Sequence, residues 1–146
     1  MTVKRRPSSR PEPNKITVLV LDDEPGVRMI LASALTTDGY SVCLADGSNA
    51  AESLCARHND LIITDLRMPG IDGLQVLALA KEKSPEAEII VITGYPSEES
   101  FQLCYEFGVA RYLVKPFAIG EIRQVVRNVL RHKKRDSKVL VCNRNH

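Results

Sequence analysis

No apolar stretch in this chain approaches the roughly 20 residues that a membrane-spanning helix requires, because charges, glycine or proline interrupt every run early. The basic N-terminus is followed by neither an apolar core nor a small-residue cleavage site, so no secretory leader is expected and a cytoplasmic location is the default. Cys43, Cys55, Cys104 and Cys142 never stand at C-x-x-C spacing, and no histidine joins them in a ligand pattern, which argues against a cysteine-bound zinc site. The first three read as small buried hydrophobes, and Cys142 as exposed. His58, His132 and His146 are scattered, and no internal repeat is present. What is there is ordinary for a soluble globular protein: 44% apolar and 26% charged residues in 146, enough for one domain with a real core.

The net charge of +2 conceals an uneven distribution. Residues 1–15 carry +4 and residues 127–146 carry +6, which leaves −8 for the stretch between them. An acidic body suits a cation site, and basic ends read first as solvated tails. Residues 1–15, with Pro7, Pro11 and Pro13, are expected to form a disordered basic arm, residues 16–132 the folded domain, and residues 133–146 a basic tail.

From Ile16 onward, short β-branched runs alternate with segments of helical period. Pro25 suits the first position of a helix that carries Val27, Ile30, Leu31, Ala34 and Leu35 on one face and stops at Gly39. Asn49, with Glu52 three residues on, reads as a cap for the second helix. Asp60–Thr64 is apolar enough for a strand buried on both faces, and 67–73 reads as a loop. The third helix places Leu74, Leu77 and Ala78 along one side, and a fourth begins near Ser97 and stops at Gly108. The last carries Ile119, Ile122, Val125, Val126, Val129 and Leu130 on one stripe. Five β-α units predict an α/β fold, a flavodoxin-like doubly wound parallel sheet of five strands in the order 2-1-3-4-5 with five surrounding helices.

In that fold the polar residues at the strand ends share one edge. Asp22 and Asp23 end the first strand, Asp65 the third, Thr93 the fourth and Lys115 the fifth. Open α/β sheets bind ligands at this carboxyl edge. Singly, Asp22, Asp23 and Glu24 read as helix caps or solvated loop residues, but the cluster with Asp65 needs compensation. Like charges about 4 Å apart repel by roughly 4 kcal/mol at an effective dielectric near 20. Lys115 supplies one positive charge, and hard oxygen ligands describe a Mg²⁺ site. Asp65 is then a candidate nucleophile for an aspartyl-phosphate, with Thr93 and Lys115 offered to phosphoryl oxygens.

The segments Val-Leu-Val-Leu-Asp22-Asp23-Glu24-Pro25, Leu-Ile-Ile-Thr-Asp65-Leu-Arg-Met68-Pro69-Gly70-Ile-Asp72-Gly73, Val-Ile-Thr93-Gly94 and Tyr112-Leu-Val-Lys115-Pro116-Phe117 resemble, in order and spacing, the receiver domain of two-component response regulators. The resemblance covers roughly residues 16–132. It implies that Asp65 is the phospho-acceptor, and that Asp22, Asp23, Asp65 and the backbone carbonyl of Arg67 hold Mg²⁺. Thr93 and Lys115 would bind the phosphoryl group, with Thr93 and Tyr112 forming the switch and a cis bond between Lys115 and Pro116. The donor would be a phosphohistidine on a sensor histidine kinase or phosphotransfer protein. Such a domain is not a turnover enzyme. Arg67 and Tyr95 would flank the phosphoryl group and lengthen its lifetime.

A stand-alone receiver is expected, because nothing after the fifth helix has the length of an output domain. The alternative is the receiver part of a larger regulator, a transcription factor or a hybrid histidine kinase. A haloacid-dehalogenase-like phosphatase also uses an aspartyl nucleophile, but it separates its first-loop aspartates by one residue, whereas Asp22 and Asp23 are adjacent. A flavodoxin-type carrier would need a first loop rich in Ser, Thr and Gly. The basic ends could touch nucleic acid or an acidic partner but contain no recognisable DNA-reading helix, so nucleic acid is not expected as a partner unless the chain is part of a regulator with an output domain.

Overall fold

The computed structural model describes residues 15–144, with side chains within 15–133. Most of the expected N-terminal arm and the side chain of Cys142 lie outside the described residues. The elements run β1 (Thr17–Leu21), α1 (Pro25–Thr37), β2 (Ser41–Ala45), α2 (Ala50–Ala56) and β3 (Leu61–Thr64). A short hairpin, β4 (Arg67–Met68) and β5 (Ile71–Asp72), follows, and then α3 (Gly73–Lys83), β6 (Glu88–Thr93), α4 (Glu98–Glu106), β7 (Arg111–Val114) and α5 (Ile119–Arg144). The large sheet is parallel in the order β2-β1-β3-β6-β7, which is 2-1-3-4-5 when its five strands alone are counted.

Strand periodicity divides the core in two. Val18, Val20, Leu61, Ile63, Ile90 and Ile92 face α1 and α5, where they meet Leu31, Leu35, Ile122, Val126 and Leu130. Their neighbours Leu19, Leu21, Ile62, Ile89 and Val91 face the other way and pack with Leu54, Val76, Leu77, Ala80 and Cys104 from α2, α3 and α4. Successive side chains of a strand point to opposite faces, so a sheet covered on both sides must be apolar throughout its central strands. The four residues of β3 are all buried.

The α5 stripe lies in the core as its spacing predicts, although Ile119 is only partly buried. Gly39 (φ +96°) and Gly108 (φ +70°) adopt the left-handed conformation in which a helix stops at little cost. In α1, Leu31 and Leu35 are buried but Ile30 is 51% exposed, at the margin of the contact with the sheet. In α3 the buried set is Val76, Leu77 and Ala80, while Leu74 and Ala78 are exposed. The stripe is the i, i+3, i+4, i+7 series that begins at Gly73, whose α-carbon lies so close to Leu66 that a Cβ there would stand 3.2 Å from the leucine. Glycine joins that stripe by proximity rather than apolarity, so counting apolar residues shifts the face.

Two local expectations are also revised. Asn49 stands at the N-cap position of α2 but its side chain makes no capping bond; its Oδ1 accepts the Asp46 backbone N–H at 2.9 Å, a local loop bond that competes with the helix. The segment 67–73 is not simply a loop. Its hairpin ends in Asp72, which caps α3 in a reciprocal pair with Gln75. Cys55 is exposed rather than buried, Cys43 is half-buried, and burial pushes the Cys104 thiol up to about 11.

Candidate functional site

Backbone pairing continues just past the strand ends and fixes where the polar side chains stand. The Asp22 N–H donates to the Ala45 carbonyl (3.1 Å), the Asp65 N–H to the Leu21 carbonyl (2.9 Å) and the Lys115 N–H to the Thr93 carbonyl (2.8 Å). The central strands are rigid and buried, so the two aspartates emerge side by side from β1 and β3 at the edge where the strand order reverses. Their side chains are nearly shut off from solvent, with Asp22 at 3% and Asp65 at 6% exposure.

Lys115 reaches across from the end of β7. Its Nζ donates to Glu24 Oε1 at 2.7 Å and Asp65 Oδ2 at 2.9 Å, and lies 3.0 Å from Asp22 Oδ2. An ammonium has three N–H donors, so all three are engaged. Burial works against the charged lysine, but its hydrogen bonds to Glu24, Asp65 and Asp22 outweigh that cost and hold its pKa above the ordinary value. Burial is the larger influence on Asp22, whose pKa is raised even though the Glu24 N–H and Lys115 pull the other way. The Asp22 carbonyl accepts from the Arg28 guanidinium, which ties the first turn of α1 to the site.

Asp22, Asp23, Glu24 and Asp65 each place a carboxylate oxygen within 4.8 Å of the others, with Asp23 and Glu24 exposed at the mouth. Four carboxylates face one ammonium. Such an excess of hard oxygen donors fits a small divalent cation and offers nothing to a soft one. An open pocket of about 760 Å³ spreads over this cluster, bounded by Arg67, Met68, Pro69, Tyr95 and Gly94.

Thr93 ends β6 beside the cluster and is 1% exposed; its Oγ1 accepts the Tyr95 N–H at 3.0 Å. The Arg67 N–H donates to Asp65 Oδ1 at 3.0 Å, while its guanidinium lies 4.3 Å from the Tyr95 ring centroid. That cation–π contact closes an arch over one side of the pocket. The Lys115–Pro116 bond is cis. Tyr112 is not part of the cluster: its hydroxyl contacts Ser100 at 2.6 Å.

The structure thus brings together Asp22, Asp23, Asp65 and Lys115, sets Arg67 and Thr93 at their rim, and directs Tyr112 elsewhere. The roles of four residues escaped the sequence reading. Glu24 gave no sign beyond its place after two aspartates, where solvated loop acids are common. Arg28 stands one helical turn after Glu24, a weak signal that points back to the strand end. Ser97 and Ser100 contact Tyr112 across the fold, which no local pattern reports.

Residues 18–127 match the response regulator receiver domain family. The sporulation initiation phosphotransferase F of Bacillus subtilis (strain 168) is 31% identical over 114 residues, which span 77% of this chain and 92% of that protein. The DNA-binding transcriptional regulator NtrC of Escherichia coli (strain K12) is 32% identical over 79% of this chain, and the matching part is 25% of its length. Among solved structures, a response regulator protein from Burkholderia pseudomallei with a phosphorylated aspartic acid, calcium ion and citrate superposes with a TM-score of 0.71 at 26% identity, covering 86% of this chain and 74% of that one. The chain belongs to the response regulator receiver domain family, the signalling module of two-component systems. No helix among the described residues is long and apolar enough to cross a membrane.

Proposed function

We propose that Asp65 accepts a phosphoryl group from a phosphohistidine on a sensor histidine kinase or phosphotransfer protein. The observation that carries this reading is the buried carboxylate of Asp65, oriented at Oδ1 by the Arg67 N–H and at Oδ2 by Lys115, at the floor of an open pocket. A carboxylate held by two donors with its pocket side open is oriented for attack on phosphorus. The new bond joins an Asp65 oxygen to phosphorus, the bond from phosphorus to the donor imidazole nitrogen breaks, and that nitrogen retains the electron pair. Such a donor is charged from ATP, which places the encounter in the cytoplasm.

Asp22, Asp23, Asp65 and the Arg67 carbonyl would hold Mg²⁺, which when bound neutralises charge developing on the transferred group. Lys115 keeps its place and exchanges carboxylate partners for phosphoryl oxygens. The Thr93 hydroxyl gives up the Tyr95 N–H for a phosphoryl oxygen, and Tyr112 moves into the space it leaves. Charge-assisted hydrogen bonds contribute about 1.5–3 kcal/mol each. Two of them supply most of the roughly 5.5 kcal/mol that takes a two-state equilibrium from mostly off to mostly on. Residues 16–132 would form the working unit, alone or within a larger regulator.

Incubation with acetyl phosphate and Mg²⁺, followed by intact-mass measurement, tests the reading. Wild type should gain a single labile phosphoryl mass and Asp65→Asn none. Absence of any gain with small-molecule and protein donors alike, or a gain that survives Asp65→Asn, rules it out.

A further inference from the structure

We infer that Ser100, supported by Ser97, is a positioning residue that latches Tyr112 in the resting conformation and so sets how readily the domain takes up a phosphoryl group. This deepens the proposed function and rests on its assignment of Thr93 and Tyr112 as the switch. The observation is a hydroxyl network at the first turn of α4. Ser97 is the N-cap: its Oγ accepts the Ser100 N–H at 3.0 Å, and Ser100 Oγ accepts the Ser97 N–H at 3.3 Å. Ser100 Oγ also stands 3.1 Å from the Ser97 carbonyl and 2.6 Å from the Tyr112 hydroxyl.

Counting protons gives the direction of that bond. A serine hydroxyl has one proton to donate and two lone pairs. With its proton on the Ser97 carbonyl, Ser100 Oγ has only lone pairs to offer, so the Tyr112 O–H donates to it at 2.6 Å, the shortest of its contacts, and the Ser97 N–H (3.3 Å) and Ser97 hydroxyl (3.1 Å) share what remains. The Tyr112 oxygen in turn lies 3.4 Å from the Ser97 N–H. The Phe101 ring meets the Tyr112 ring edge to face, with centroids 5.5 Å apart, and holds it from a second side. Tyr112 is therefore fixed by its hydroxyl and by its ring, both to α4.

The same loop is tied at its other end to the site. Thr93 Oγ1 accepts the Tyr95 N–H, so residues 94–97 run between a hydroxyl that belongs to the phosphoryl site and the cap that holds the tyrosine. A phosphoryl group that draws Thr93 away releases one end of the loop, and inward movement of Tyr112 breaks the bond at the other. Each bond broken is stability that only the resting form possesses. By linkage, removing the latch in advance makes the active form more accessible and raises phosphoryl affinity by the same factor.

Beryllofluoride, a phosphoryl mimic that does not turn over, gives the equilibrium readout. Titration calorimetry in Mg²⁺ on the whole 146-residue chain should show Ser100→Ala binding about 3- to 10-fold tighter than wild type, the range for loss of one neutral hydrogen bond. Tyr112→Phe, which deletes only the hydroxyl, should give the same gain. The double variant should do no more than either single change, and Ser100→Thr, which keeps the hydroxyl, should return to wild-type affinity. A merely structural cap would lower thermal stability without this pattern. Unchanged or weaker binding by Ser100→Ala, or gains that add in full in the double variant, overturns the latch. A wild type that binds no beryllofluoride instead overturns the phospho-acceptor reading beneath it.

Discussion

Lys115→Ala tests the charge balance on which the site rests. In the folded protein the ammonium lies 2.9 Å from Asp65 Oδ2 and 3.0 Å from Asp22 Oδ2, and its own side chain is 13% exposed. Glu24, the third partner, is 59% exposed, and its exposed pairing adds little. Removing the cation leaves two buried carboxylates facing each other without compensation. Breaking a buried pair in this way costs about 3–5 kcal/mol. For a domain of this size that lowers Tm by roughly 10–20 °C.

The assay is thermal unfolding with excess chelator and then with a Mg²⁺ series. Magnesium at a hundredfold excess over its Kd should return about 2.7 kcal/mol. The variant should gain more than wild type at each concentration below saturation, because the ammonium no longer opposes the incoming ion. Asp65→Asn should weaken the effect of Lys115→Ala, since residues in one charge network do not act additively. A variant as stable as wild type in chelator, or one that magnesium fails to rescue, refutes both the ion-pair balance and the cation site.

Three further outcomes follow from particular contacts. The Arg123 guanidinium beside Asp38 holds that carboxyl below its ordinary 3.8. The pair therefore stabilises the fold above that pH and ceases to as pH falls through the lowered value, so the Tm difference between wild type and Asp38→Asn should disappear in strong acid. Arg67→Ala opens the arch over the pocket; a cation–π contact of about 0.5–1 kcal/mol corresponds to phosphoryl loss up to about 5-fold faster, measured from the decay of the intact-mass label, and an unchanged rate removes Arg67 from the account. Gly47 lies against the hairpin so closely that a Cβ there would stand 2.0 Å from the Pro69 carbonyl oxygen. Gly47→Ala should thus cost about 1–3 kcal/mol in denaturant unfolding, and a neutral result would mean that the loop yields freely.

Strand ends were the most legible part of the fold, because a sheet buried on both faces leaves an unmistakable apolar run and each run here stops at a charged or hydroxyl residue. That alone carried Asp22, Asp65, Thr93 and Lys115 to one edge in the correct order. Helix faces were less legible where burial comes from closeness rather than chemistry: Gly73 sets the α3 stripe, and Leu74 misleads. The start of α4 near Ser97 was readable, but the side-chain capping expected at Asn49 was not borne out, because its amide serves a neighbouring loop. Contacts between residues far apart in the chain were not readable at all. Glu24 with Lys115 and Ser100 with Tyr112 depend on the sheet order and on rotamers that only packing selects.

Reductive trapping examines the acceptor most directly. An acyl phosphate is cleaved by borohydride to an alcohol, which converts the modified aspartate to homoserine. After brief labelling with a phosphodonor and Mg²⁺, peptide mapping should find homoserine at position 65 alone, and none when chelator replaces the ion. Homoserine at Asp22 or Asp23, or reduction at Asp65 that proceeds equally well in chelator, would contradict the account.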